Sequence, residues 1–165
     1  MCFMKKMIIG TLTLATLLFV LWYLLPHQTY LTFSSQRTDE VFLQEPIEPG
    51  DEVEVSWVHS IEQTPWIETF RINEKNELVK TEARFKSYGA GAPEETDGTF
   101  MVEDGYMIIT DLHEIFEAYR WFHSYNVDYT ISINDATTIE TTALPDQTLL
   151  EMKVEREVPF VPSFF

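Results

Sequence analysis

Beyond residue 50 the chain is dominated by alternation between apolar and polar positions. Val53, Val55 and Trp57 alternate with Glu52, Glu54 and Ser56. Trp66, Phe70 and Ile72 share one parity, which Glu68 alone breaks. Val79, Thr81, Ala83 and Phe85 alternate with Leu78, Lys80, Glu82 and Arg84. Tyr129, Ile131 and Ile133 alternate with Thr130, Ser132 and Asn134, and Leu150, Met152 and Val154 with Glu151, Lys153 and Glu155. Successive side chains of a strand point to opposite faces, so these segments predict an antiparallel sheet with one buried face. Asn73-Glu74-Lys75-Asn76 predicts a hairpin connection. The stretch from Asp111 to His123 fits two templates. Leu112, Ile115, Phe116, Tyr119 and Phe122 form a helical stripe that Asp111 and Glu114 could cap, whereas Ile115, Tyr119 and Trp121 suit a strand. Its aromatic and β-branched content tips the second half towards strand. The expected fold is mainly β, a small antiparallel sandwich or barrel, with room for one short helix.

The N-terminus follows a different pattern. From Met7 to Leu25 no residue is charged. At 1.5 Å per residue this helix would span about 28 Å, just enough for a bilayer core of about 30 Å. Trp22 and Tyr23 stand at its outer end, Pro26 stops it, Lys5 and Lys6 precede it, and the first acidic residue is Asp39. The positive-inside rule then keeps the N-terminus cytoplasmic and exports the rest. A cleaved signal peptide is the main alternative, but the run is long for one and no Ala-x-Ala site follows. A buried core helix would show a polar face. The expected organisation is a cytoplasmic N-terminus over residues 1–6, one transmembrane anchor over 7–25, and a polar linker over 26–49. A β-rich extracytoplasmic domain over 50–157 and an apolar tail over 158–165 complete it.

Charge narrows the choice of partners. All 27 acidic residues lie beyond the apolar run against 9 of the 11 basic ones, a formal charge of −18 for the exported part. Nucleic acid is excluded as a partner, since phosphate binding requires clustered Lys and Arg. A calcium loop of the D-x-D-x-D-G kind is missing from the sequence. The single cysteine, Cys2, cannot form an intramolecular disulfide, so a hydrophobic core must hold the domain.

Two segments depart from simple alternation: Trp57-Val58-His59-Ser60-Ile61-Glu62-Gln63-Thr64-Pro65-Trp66-Ile67-Glu68, and Tyr88-Gly89-Ala90-Gly91-Ala92-Pro93. Together they resemble the hallmark of domain-of-unknown-function family 1850. In that family a strand ends in His-Ser, a Pro and a Glu follow at similar spacing, a Gly-Ala-Gly turn comes later, and an alternating strand closes the pattern. The resemblance covers Val53 to about Arg156. It implies a small exported or anchored bacterial protein encoded beside components of TRAP-type solute transporters, hence an accessory role in uptake. It brings no catalytic activity and no cofactor.

Taken on their own, His59, Glu62 and Glu68 could converge on zinc or another cation, with a bulge or turn near Thr64-Pro65. Alternatively His59 and Ser60 bond the backbone at a strand end, Pro65 sets a turn and Trp66 fills the core. A serine-hydrolase reading of Ser60 fails on geometry, because adjacent strand residues face opposite ways and His59 would not reach it. Gly89, Ala90 and Gly91 read as a turn stiffened by Pro93, or as an edge for a partner. The expected function is a non-enzymatic, membrane-anchored accessory or binding protein. Its alternative is a sensor for a cation or small ligand centred on His59, Glu62 and Glu68.

Overall fold

A computed structural model describes residues 28–38, 40–61, 63–86 and 97–157, together with Leu14, Thr16, Leu17, Phe19 and Val20. The chain divides into two compact units, Thr29–Glu155 and a second formed by Met1–Gln28 with Arg156–Phe165. Of the expected anchor, the five described residues are helical and their apolar side chains are exposed. Among the described residues no helix is long and apolar enough to cross a membrane. The remainder of 7–25, residues 1–6 and the tail 158–165 lie outside the described residues.

The larger unit is built from antiparallel strands, as the alternation predicts. Its strands are β1 (Gln28–Ser35), β2 (Val41–Ile47), β3 (Glu52–Val58), β4 (Pro65–Ile72), β5 (Leu78–Phe85) and β6 (Thr99–Glu103). They continue with β7 (Tyr106–Thr110), β8 (Glu114–Phe116), β9 (Tyr119–His123), β10 (Thr130–Ile133), β11 (Thr137–Glu140) and β12 (Thr148–Glu157). One sheet has the order β2-β1-β12-β9. The other runs β11-β10-β3-β4-β5-β7-β6, with β8 also paired to β5. Both sheets end in edge strands, so the barrel alternative is excluded. Leu31, Phe33, Leu150 and Met152 of the first sheet share one core cluster with Val53, Val55, Phe70, Ile72 and Ile131 of the second.

Two expectations are corrected and one ambiguity is resolved. The segment 26–49 is not a linker, because most of it forms β1 and β2, and Leu31, Phe33 and Ile47 are buried. Thr32 and Ser34 are buried as well, so β1 carries polar residues on a covered face and its alternation reads as loop sequence. Pro46 is tolerated because β2 is an edge strand, where a missing N–H costs no ladder bond. The stretch 111–123, which fitted both templates, is strand throughout its paired part: β8 and β9 occupy it, and the strand preference of its second half is borne out. Asp111 takes a positive φ of 59° instead of capping one. Leu112 turns inward there and its N–H donates to the Thr81 carbonyl at 3.1 Å.

The second correction concerns β5. Register runs Trp66↔Phe85, Glu68↔Ala83 and Thr69↔Glu82, then shifts to Phe70↔Lys80 and Ile72↔Leu78. Thr81 is the extra residue of a β-bulge, and its hydroxyl donates to the Thr69 carbonyl at 3.2 Å. A bulge inverts the parity of everything beyond it. Phe85 and Ala83 therefore face the core on one side of it, and Leu78 on the other, so the inward residues are not the uniform set Val79, Thr81, Ala83 and Phe85. Lys80 takes the parity of Leu78, opposite Phe70.

Two connections follow their local chemistry. Asn73 Oδ1 accepts the N–H groups of Lys75 and Glu77, both at 2.9 Å, and Asn76 has a φ of 60° in the expected hairpin. Asp104-Gly105 closes β6 and β7 with positive φ at both residues, as a two-residue type I′ loop requires.

Deleting Thr81 should abolish cooperative urea unfolding, because Leu78 would be turned out of the core. Thr81→Val keeps the residue count and should cost about 1 kcal/mol. Phe70→Ala, at a fully buried position, should cost about 3–5 kcal/mol in the same measurement.

Candidate functional site

The parity break at Glu68 locates a cleft of about 460 Å³. Glu68 pairs with Val55 on one side and Ala83 on the other, both core residues, so its carboxylate enters the inner face of the sheet. Such a charge needs partners, since an isolated buried carboxylate is costly. Its side chain is only 13% exposed and lies 3.9 Å from Lys80 Nζ, which the bulge has brought to the same face. Lys80 makes its shorter contact, 2.7 Å, with Glu114 of β8, and its ammonium sits 5.4 Å above the Phe116 ring. Tyr119 of β9 lines the same cleft, and the charge of Glu68 acts on its phenol.

Aromatic rings form the rest of the wall. Trp57 stands opposite Trp66 across β3 and β4, their ring centroids 5.9 Å apart. Trp66 stacks on Phe85 at 4.7 Å and on the His59 ring at 5.7 Å. From Trp57 the contacts continue to Tyr129 at 5.9 Å, and from Tyr129 to Trp121 at 6.1 Å. Tyr119 then meets Trp121 at 5.8 Å and Phe116 at 6.2 Å. His123, fully buried behind this wall, accepts the Trp121 indole N–H at Nδ1 (3.2 Å), so its Nε2 carries the proton donated to the Thr141 carbonyl (2.8 Å). That arrangement fixes the ring against which Tyr129 packs at 5.5 Å.

The loop between β3 and β4 supplies the mouth. His59 N–H donates to the Thr64 carbonyl at 2.9 Å, and Gln63 N–H to the His59 carbonyl at 2.8 Å, with Gln63 at a φ of 51°. Of the residues singled out in the sequence, His59, Ser60 and Glu68 line the one cleft. Ser60 is exposed, and its carbonyl accepts from the Gln63 side chain at 2.6 Å. Pro65 starts β4 opposite Val58, a position where its missing N–H is tolerated. Glu62, Gly89, Ala90, Gly91 and Pro93 lie outside the described residues. Among the described residues no group of three His, Cys, Asp or Glu side chains is placed to hold a metal ion. The Trp66 indole N–H is buried with no hydrogen-bond partner among the described residues.

Lys80, Tyr119, Tyr129 and Phe116 are the site residues that alternation alone missed. Their signal was indirect: a lone carboxylate on an apolar parity demands a cation and a donor from neighbouring strands. The family model described as Domain of unknown function (DUF1850) matches residues 53–139, a stretch that contains every residue lining the cleft. No curated protein and no solved structure matches the chain.

Burial raises the Tyr119 phenol above its ordinary value of 10.0, and the nearby charge of Glu68 adds to the effect. Burial and then Glu68 raise Tyr129 in the same direction. The folded phenols keep their protons where unfolded ones release them, so this stability is intact below about pH 10 and is lost as pH rises beyond it. Between about pH 10 and 11 the unfolding free energy should therefore fall more steeply in the wild type than in Tyr119→Phe, by about 1 kcal/mol per pH unit. Urea titrations across that range measure it.

Proposed function

The chain belongs to the DUF1850 family, and from that premise we propose that it is a non-enzymatic, membrane-anchored, extracytoplasmic protein that binds a small organic ligand in the cleft around Glu68. The observation that carries this reading is a charged cluster on the inner face of a sheet, opening into a cleft walled by aromatic rings. Ligand sites combine such apolar walls with a few convergent polar groups, at volumes of about 300–1,000 Å³. A purely structural ion pair has no need of a cleft beside it. The reading takes His59 and Glu68 from the sequence-based sensor alternative and replaces the cation by an organic molecule, because aromatic faces cannot serve as ligands to zinc.

The apolar run from Met7 to Leu25 supports the anchor by its length and by the lysines before it. The TRAP-type transporter accessory role rests on the family resemblance, and a ligand-binding domain held at the membrane surface is suited to it. In that role the bound molecule is the transported solute or a signal of its supply.

Saturation with a cognate ligand, at about 100 times its Kd, should stabilise the domain by about 2.7 kcal/mol and raise its Tm by about 10 °C. A thermal-shift screen of polar metabolites reads this directly, and Trp57→Ala should remove the response. If every compound leaves the Tm of the wild type unchanged, the binding reading is wrong. Alkaline carbonate should leave the full chain with the membrane pellet, whereas a chain beginning at Gln28 should be soluble. Recovery of the full chain in the supernatant would contradict the anchor.

A further inference from the structure

We propose that the ligand is an organic ammonium, a primary or quaternary amine of modest size, received by Glu68 and the rings of Trp57 and Tyr129. This rests on the binding reading above and adds the ligand class. Two carboxylates, Glu68 and Glu114, share one ammonium, that of Lys80. The lysine is unequally divided, 2.7 Å from Glu114 and 3.9 Å from Glu68, so the carboxylate left without a close cation is the more buried of the two, 13% exposed against 50%. The cluster thus carries one uncompensated negative charge, placed where water screens it least.

The walls select among the ways of meeting that charge. A ring presents its negative face to a cation within about 6 Å, and tryptophan does so best. Trp57 stacks on the buried Trp66 and tilts against Tyr129, and both Trp57 and Tyr129 line the cleft with Glu68, so a bound ammonium would meet a carboxylate and two aromatic rings at once. The same combination is already at work on a smaller scale, with the Lys80 ammonium over Phe116 and between two carboxylates. A metal ion would gain nothing from the rings, and an anion would meet two carboxylates before reaching a lysine they already neutralise. The overall surplus of acidic residues steers cations towards the site. A neutral sugar could stack on the tryptophans but would leave the charge of Glu68 unmet.

Calorimetry on the full chain in non-ionic detergent tests this with choline and benzylamine as cations. The uncharged choline isostere 3,3-dimethylbutan-1-ol, glucose and acetate serve as comparisons. Choline or benzylamine should bind at least about tenfold more tightly than the isostere, a difference of one charge-assisted contact. Glu68→Gln should reduce ammonium affinity by about tenfold or more while leaving the Tm close to that of the wild type. Glu114→Gln should also weaken it, because Lys80 is then released to close on Glu68. Glu52→Gln, on the outer face, should change nothing. Equal binding of the isostere, or unchanged ammonium affinity in a folded Glu68→Gln protein, overturns the ligand class. Saturable binding of glucose or acetate, abolished by Trp57→Ala and unaccompanied by ammonium binding, overturns the class but leaves the site standing. Silence from all five probes rejects the ammonium proposal, and the wider thermal-shift screen then decides the binding reading separately.

Discussion

A carboxylate on the buried face of a sheet is the constraint around which this domain is arranged. The alternation of β4 delivers Glu68 to the inside as surely as it delivers Trp66 and Phe70, and desolvation then demands a cation nearby. The nearest lysine, on the neighbouring strand, has the wrong parity for a regular ladder. The bulge at Thr81 changes that parity and turns Lys80 to the same face. On the opposite edge of β5 two short strands flank the bulge, β7 against Ala83–Phe85 and β8 against Leu78–Lys80, joined through the inward turn at Leu112. That break brings Glu114 within reach of Lys80, and Tyr119 of β9 lines the same cleft. Ion pairing, bulge and strand break are therefore one device, and the cleft lies where it opens between rings.

Exposed ion pairs contribute little by comparison. Arg71 with Glu52 is more than half exposed on the arginine side, and such pairs are worth about 0–1 kcal/mol. Stability comes instead from the apolar residues of both sheets, as the absence of any possible intramolecular disulfide requires.

Much of the architecture was legible as alternation. β3, β4, β10 and β12 could be read off because each has one wet face and one dry face, and the β4–β5 hairpin announced itself through Asn73 and Asn76. Strand β1 could not, because Thr32 and Ser34 are buried on its second face and disguise it as linker. Strand β6 could not, since every one of its residues is exposed and no dry face marks it. The bulge is a tertiary feature. Nothing in Lys80-Thr81-Glu82 signals an extra residue, so the inward turn of Leu78 and Lys80 required the partner strands. For the site, the sequence supplied His59, Glu68 and the tryptophans beside them but could not supply Lys80 of β5, Phe116 of β8, Tyr119 of β9 and Tyr129 just before β10, which only the tertiary fold brings to the cleft.

The most direct test follows the site itself by nuclear magnetic resonance, with labelled tryptophan and glutamate, while choline is added to the full chain in detergent. The indole N–H signals of Trp57 and Trp66 and the side-chain carboxyl signal of Glu68 should move together along one saturation curve, while Trp22 stays still. Movement of Trp22, or of surface glutamates with Glu68 unchanged, would contradict the account.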